Sequence, residues 1–253
     1  MSLLEVRDID VRYGAVQALR GVSLDVAEGE IVSILGSNGA GKTTTLRTIS
    51  GLLAPSSGSI TFAGEPIAGL PAYEVIGRGL AHLPEGRDLF PSLTVEENLR
   101  FGYWTKRKDR AGYKQGLDRA FHFFPKLLER REQPAGTMSG GEQQMLGVAR
   151  ALMCTPRLLV VDELSLGLAP LIVQQLFQIL RQVNQEGTAL LIVEQFVHMA
   201  LENSDRAYVL ARGEVALEGR SRDLLDDPDV IAAYLGEAAE APGATGAAGG
   251  GRR

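Results

Sequence analysis

The sequence is short of cysteine, of long hydrophobic runs and of positive charge, and each shortage removes a class of protein. One cysteine among 253 residues, Cys154, allows no internal disulfide, and its place between Met153 and Thr155 in an apolar stretch reads as a buried structural thiol. No stretch approaches the roughly 18 consecutive apolar residues of a membrane-spanning helix. Glu5, Asp8 and Asp10 stand where a secretion signal would be basic and then apolar, so a cytoplasmic protein is expected. The 26 Lys and Arg against 31 Asp and Glu leave a net charge of -5, which argues against nucleic acid as the main partner. What is plentiful is apolar matter: 45% of positions, enough to bury the core of one large domain or of a domain with a lobe.

Along the chain, residues 3–11, 22–26 and 31–35 are short β-rich runs separated by turns at Tyr13-Gly14 and Glu28-Gly29. A helix is expected from Gly41 to about Gly51, then a strand at 59–62. Between about 89 and 155 the spacing becomes helical and heavily charged, which reads as a helical lobe inserted into a sheet domain. Strand and helix then alternate through 158–161, 171–184, 189–193 and 196–203, the pattern of a mostly parallel sheet covered by helices, with a final hairpin near Arg212-Gly213. The expected division is 1–88 and 156–236 as core, 89–155 as lobe, and 237–253 as a disordered tail too poor in large apolar groups to offset its ordering entropy.

Gly36, Ser37, Asn38, Gly39, Ala40, Gly41, Lys42 and Thr43 spell a phosphate-binding loop between an apolar strand and a helix. The glycines let the backbone curl so that successive N–H groups meet phosphate oxygens, and the positive end of the helix adds to the attraction. Lys42 is expected on the β- and γ-phosphates and Thr43, followed by Thr44, on Mg²⁺. The loop alone says that a nucleotide binds and leaves the reaction open. The apolar run 158–161 leads into Asp162 and Glu163, two carboxylates at the C-terminal end of a buried strand, where α/β sheets place their ligand sites. Asp162 is suited to the metal and Glu163 to deprotonating an attacking water. Ser139, Gly140, Gly141, Glu142 and Gln143 open a second helix with a hydroxyl, bare amides and a positive helix end, a second grip for phosphate in a chain that already has one.

This combination resembles the ABC ATPase family over about residues 3 to 236. The resemblance implies an α/β fold of P-loop NTPase type with a mixed sheet, an antiparallel β part and an inserted helical lobe. It also implies ATP and Mg²⁺ as cofactors, and a head-to-tail dimer in which Ser139, Gly140, Gly141 and Glu142 of one subunit close on the γ-phosphate held by another. Tyr13 falls where the family stacks an aromatic on adenine, a plain strand-end aromatic being the competing reading. Three positions depart from the family pattern. Glu85 replaces a glutamine and can still bind Mg²⁺ or its water. Gln195 replaces a histidine near the γ-phosphate and can hydrogen-bond but not titrate. Leu164 replaces the proline after Glu163.

The departures, with Leu83-Pro84-Glu85-Gly86-Arg87, Ser165-Leu166-Gly167-Leu168-Ala169-Pro170 and Ala233-Tyr234-Leu235-Gly236, look like one ATPase of the branched-chain amino-acid importers. That group implies a second ATPase subunit, a related chain or a copy of this one, and two transmembrane permease subunits. A substrate-binding protein acts indirectly, and the ATPase lies on the inner face of the cell membrane. Importers of urea and short amides are the alternative within the family. A soluble ABC ATPase acting on DNA or ribosomes is the alternative outside transport, and this chain has neither the long coiled-coil insertion nor the second cassette usual there. Phe101, Tyr103, Trp104, Phe121, Phe123 and Phe124 read as lobe core, with any exposed member lining the groove that, in the family, receives a short helix of the membrane subunit. Lys106, Arg107, Lys108 and Arg110 read as a solvated loop, or as a contact for anionic lipid headgroups.

Overall fold

The apolar runs at the centre of the sequence are the centre of the molecule. They form β3 (Ile31–Leu35), β7 (Leu158–Asp162) and β8 (Ala189–Val193), in which every residue is buried. A strand covered on both faces loses polar alternation, which is why these three read as continuous apolar stretches. With β6 (Leu80–Leu83), β9 (Arg206–Ala211) and β10 (Glu214–Arg220) they make a six-stranded sheet in the order β10-β9-β3-β8-β7-β6. Its pairs are parallel except β9 with β10. The computed structural model describes residues 2–86 and 88–225. Arg87, the segment 233–236 and the tail 237–253 lie outside the described residues.

A second, antiparallel sheet has the order β2-β1-β4-β5, from β1 (Ser2–Tyr13), β2 (Val16–Ala27), β4 (Ser57–Phe62) and β5 (Glu65–Pro66). The first two strands run further than their apolar cores because polar side chains extend the pairing: Arg12 lies opposite Gln17 and donates to its Oε1 at 3.0 Å. Side chains of β7 alternate between two cores. Leu158 and Val160 pack with the antiparallel sheet, while Leu159 and Val161 pack with helices on the other face. The expected mixed sheet with an antiparallel part is therefore what the chain forms.

Between β6 and β7 run α3 (Val95–Gly102), α4 (Arg110–Phe123), α5 (Pro125–Glu129) and α6 (Gly140–Leu152). Thr94 and Ser139 start α3 and α6 with capping boxes, each side chain accepting from the third helical N–H while Glu97 or Glu142 bonds back. The lobe aromatics divide: Tyr103, Phe121, Phe123 and Phe124 are buried, whereas Phe101 and Trp104 are exposed. The exposed pair lines a groove of about 380 Å³ with Tyr73, His82 and Phe90.

Candidate active site

Four neighbouring strands are parallel, so the residues that follow them collect at one edge of the sheet: the loop after β3, Glu85 after β6, Asp162 and Glu163 at β7, and Gln195 after β8. The loop must be nearly all backbone. Gly36 has φ +150°, and a Cβ there would stand 2.3 Å from the Leu210 carbonyl oxygen; Gly41 has φ +107°, with a Cβ 2.6 Å from Leu19 Cδ2. The following helix, α1 (Lys42–Ile49), starts on Lys42. Its ammonium donates to the carbonyls of Gly36 at 2.8 Å and Ser37 at 2.9 Å, and the side chain is almost wholly buried. Ser37 Oγ is shut off from water with no hydrogen-bond partner, an orphan polar atom inside the loop.

Thr43 Oγ1 donates to Asp162 Oδ1 at 3.3 Å; Asp162 is buried and, like Gly36, Ser37 and Ala40, is not among the residues lining the cleft that Thr43 faces. Burial pushes the Asp162 carboxyl up to about 6; the Thr43 hydrogen bond pulls it down, and the carboxylates of Glu163 and Glu85 push it up again. Glu163 holds the left-handed backbone conformation at φ +49°, rare for a residue with a side chain. Its N–H donates to the Val193 carbonyl at 3.0 Å, and its Oε2 accepts from Gln195 Nε2 at 2.9 Å. Leu164 is fully buried, so the residue in place of proline fills core space. Asn38, Lys42, Thr43, Glu85, Glu163 and Gln195 thus face one cleft of about 370 Å³, with Gly39, Gly41 and Thr44 also on its wall.

The donors fit magnesium. Among the described residues no cluster of three His, Cys, Asp or Glu could hold an ion alone. One hydroxyl and a small set of carboxylates are hard oxygen ligands that leave the remaining positions to phosphate and water, the usual way Mg²⁺ is shared with a nucleotide.

Three features were not anticipated or stand apart. Glu194 is fully buried, and its carboxylate accepts from the Ser165 N–H at 3.2 Å and the Ser165 hydroxyl at 2.6 Å. It ties the segment after Glu163 to the residue preceding Gln195. The available signal was a carboxylate placed directly after five buried apolar residues, where its burial follows from the strand. Ala18 lines the cleft, while Tyr13, at the tip of the same hairpin and 45% exposed, is not among the lining residues. Ser139, Gly140, Gly141 and Glu142 sit at the start of α6 and do not line the cleft either. The Ser139 hydroxyl donates to Glu142 Oε2 at 2.8 Å, and Glu142 pairs with Arg130 at 3.0 Å.

The sequence profile described as ABC transporter matches residues 19–165. The high-affinity branched-chain amino acid transport ATP-binding protein BraG of Pseudomonas aeruginosa is 48% identical over 234 residues, covering 92% of this chain and 100% of its own. The corresponding protein BraF of the same organism is 32% identical over 251 residues, covering 93% of this chain and 98% of its own. The crystal structure of a nucleotide-free ATP-binding cassette from an ABC transporter superposes with a TM-score of 0.83 at 28% identity, over 92% of this chain and 99% of the other.

Proposed function

This chain belongs to the ABC transporter family, and from that premise we propose that it is the ATP-binding and ATP-hydrolysing subunit of an importer for branched-chain amino acids: leucine, isoleucine and valine. The observation that carries the chemistry is the contact of Gln195 with Glu163 beside the Thr43–Asp162 pair, at the mouth of the phosphate loop. The substrate class is supported by full-length similarity to BraG.

In this reading the loop from Gly36 to Thr44 wraps the phosphates with backbone N–H groups, and the Lys42 ammonium turns from its own carbonyls to the β- and γ-phosphates. Thr43 and Asp162, with Glu85 at the rim, would hold Mg²⁺, which would offset charge developing on the phosphate oxygens. Glu163 accepts the proton of the attacking water. The Gln195 amide keeps the Glu163 carboxylate aimed into the cleft and offers hydrogen bonds to the γ-phosphate side. Tyr13 stacks on the adenine. Ser139, Gly140, Gly141 and Glu142 act on the nucleotide of a second subunit, which accounts for their absence from the lining of this chain's own cleft.

Residues 1–88 and 156–236 act as the nucleotide-binding core and 89–155 as the lobe. BraG and BraF are separate ATP-binding proteins of one organism, and the higher identity to BraG supports pairing with a related, different chain over self-pairing. The other partners are two membrane permease subunits and, indirectly, a substrate-binding protein. The groove edged by Phe101 and Trp104 receives a short helix of the permease, which keeps the ATPase on the inner face of the membrane. Among the described residues no helix is long and apolar enough to cross a membrane.

Glu163→Gln tests the chemistry. The assembled complex is expected to bind ATP normally and to lose hydrolysis by about 10² to 10⁴-fold, the range for removing a general base. Hydrolysis at the native rate would remove Glu163 from that role.

A further inference from the structure

The segment 100–114 carries charge of the opposite sign to the rest of the chain. Arg100, Lys106, Arg107, Lys108, Arg110 and Lys114 face one acid, Asp109, a surplus of five in a chain whose net charge is -5. All six basic residues are exposed. Asp109 is committed elsewhere, capping α4 through the Gly112 N–H at 2.9 Å and accepting from the Tyr103 hydroxyl at 3.0 Å. Glu96, one turn before Arg100, is paired with Arg131. Among the described residues none of the six basic side chains forms a salt bridge.

The charges surround a shaped recess. Between α3, the 3-10 turn Trp104–Lys106 and α4 lies a hollow of about 430 Å³ lined by Arg100, Tyr103, Trp104, Arg107, Arg110 and Tyr113. The Arg107 guanidinium lies 5.1 Å from the Trp104 ring centroid and that of Arg100 lies 6.0 Å from the Tyr113 ring, so aromatic faces hold the arginines in place. Arg107 Nη1 donates to the Trp104 carbonyl at 3.5 Å, which leaves most of its donors available. Planar guanidiniums are suited to phosphate, and an exposed tryptophan beside them suits the boundary between headgroups and acyl chains. Trp104 also edges the groove assigned to the permease helix, so recess and groove adjoin at that side chain.

We propose that this recess and its basic rim bind the phosphate headgroups of anionic phospholipids. The inference rests on the reading that the chain works against the inner face of a membrane. It adds a direct lipid contact to an attachment otherwise made through the permease alone, and charge complementarity selects the lipid over an uncharged surface.

The chain's single tryptophan lies on the rim, so its emission reports occupancy. The full chain is titrated with vesicles of phosphatidylcholine alone and of phosphatidylcholine mixed with phosphatidylglycerol. A blue shift with the mixed vesicles only, weakened by added salt, is the expected result. In co-sedimentation the triple variant Arg107→Gln, Lys108→Gln, Arg110→Gln should lose on the order of 10²-fold in affinity for the mixed vesicles, each basic residue contributing about fivefold. Its ATP binding should stay at the native level, which shows that it is folded.

Equal response to both vesicle types, or a triple variant that sediments like the native chain, would overturn the proposal. So would an equal shift with inorganic phosphate, which would make the recess a site for soluble anions. Failure of the triple variant to assemble with the permease in lipid-free detergent would assign the patch to an acidic protein segment and overturn it as well. Hydrolysis is read separately through Glu163→Gln, so failure of the ATPase reading and failure of lipid binding are told apart.

Discussion

Glu163 and His82 show how single residues carry cost in this fold. Glu163 occupies a left-handed backbone conformation at the end of β7, and Gln195 and Val193 hold it there. His82 sits mid-strand in β6 with both ring nitrogens cut off from water and unpartnered. Burial lowers its pKa from 6.5 to about 4, with Arg47 acting in the same direction and Asp88 against it. The folded value lies below the unfolded one, so the unfolded chain takes up the proton first. The stability tied to neutral His82 is complete above about pH 6.5 and is lost as pH falls toward 4. Between pH 7 and pH 5 this amounts to about 2 kcal/mol. Chemical denaturation of His82→Leu at both pH values should show a loss on acidification smaller by that amount than in the native chain. An unchanged acid loss would mean that the ring is solvated. The loop at 36–43 and the Asp162–Glu163 pair could be placed from the sequence because backbone curvature and strand-end position leave a local signature, and their roles remain part of the proposed function. The Glu194–Ser165 contact spans 29 residues and has none.

At the scale of elements, α3 and α6 begin with the same device. Thr94 with Glu97 and Ser139 with Glu142 satisfy each other's free N–H groups, and either hydroxyl should be worth about 1 kcal/mol to its helix. Thr94→Ala and Ser139→Ala should therefore lower stability alike, while only Ser139→Ala should abolish hydrolysis by the assembled complex, because only that hydroxyl is assigned to the partner's nucleotide. Equal activity in the two variants would reduce Ser139 to a helix cap. The fully buried strands and the long amphipathic helix were legible, whereas β2 (Val16–Ala27) was expected only at 22–26. β3 and β8 fall on the residues expected, and α7 (Pro170–Gln185) exceeds its expected span by one residue at each end. β6 and α2 (Ala72–Gly77) were not legible: they lie around Gly77-Arg78-Gly79, where glycine punctuation breaks both the apolar run and the helical period. β6 forms because β7 lies ready beside it, a tertiary cause with no local trace.

The whole molecule presents one cleft and, outside its lining, a second helix start assigned to phosphate. Asn38, Lys42, Thr43, Glu85, Glu163 and Gln195 gather at the carboxyl edge of the sheet, whereas Ser139 opens a helix of the lobe outside that cleft. In the proposed reading one chain holds halves of two sites, and its function belongs to an assembly. The segment between β6 and β7 adds an exposed aromatic groove and a basic recess that adjoin at Trp104. No residue of this chain names leucine; that assignment comes from similarity to BraG over 92% of this chain. Uptake of labelled leucine and labelled urea, side by side, in cells carrying the native chain or Lys42→Ala tests the account most directly. Loss of leucine uptake with urea uptake unchanged is the predicted result. Loss of urea uptake alone, or of neither, would contradict it.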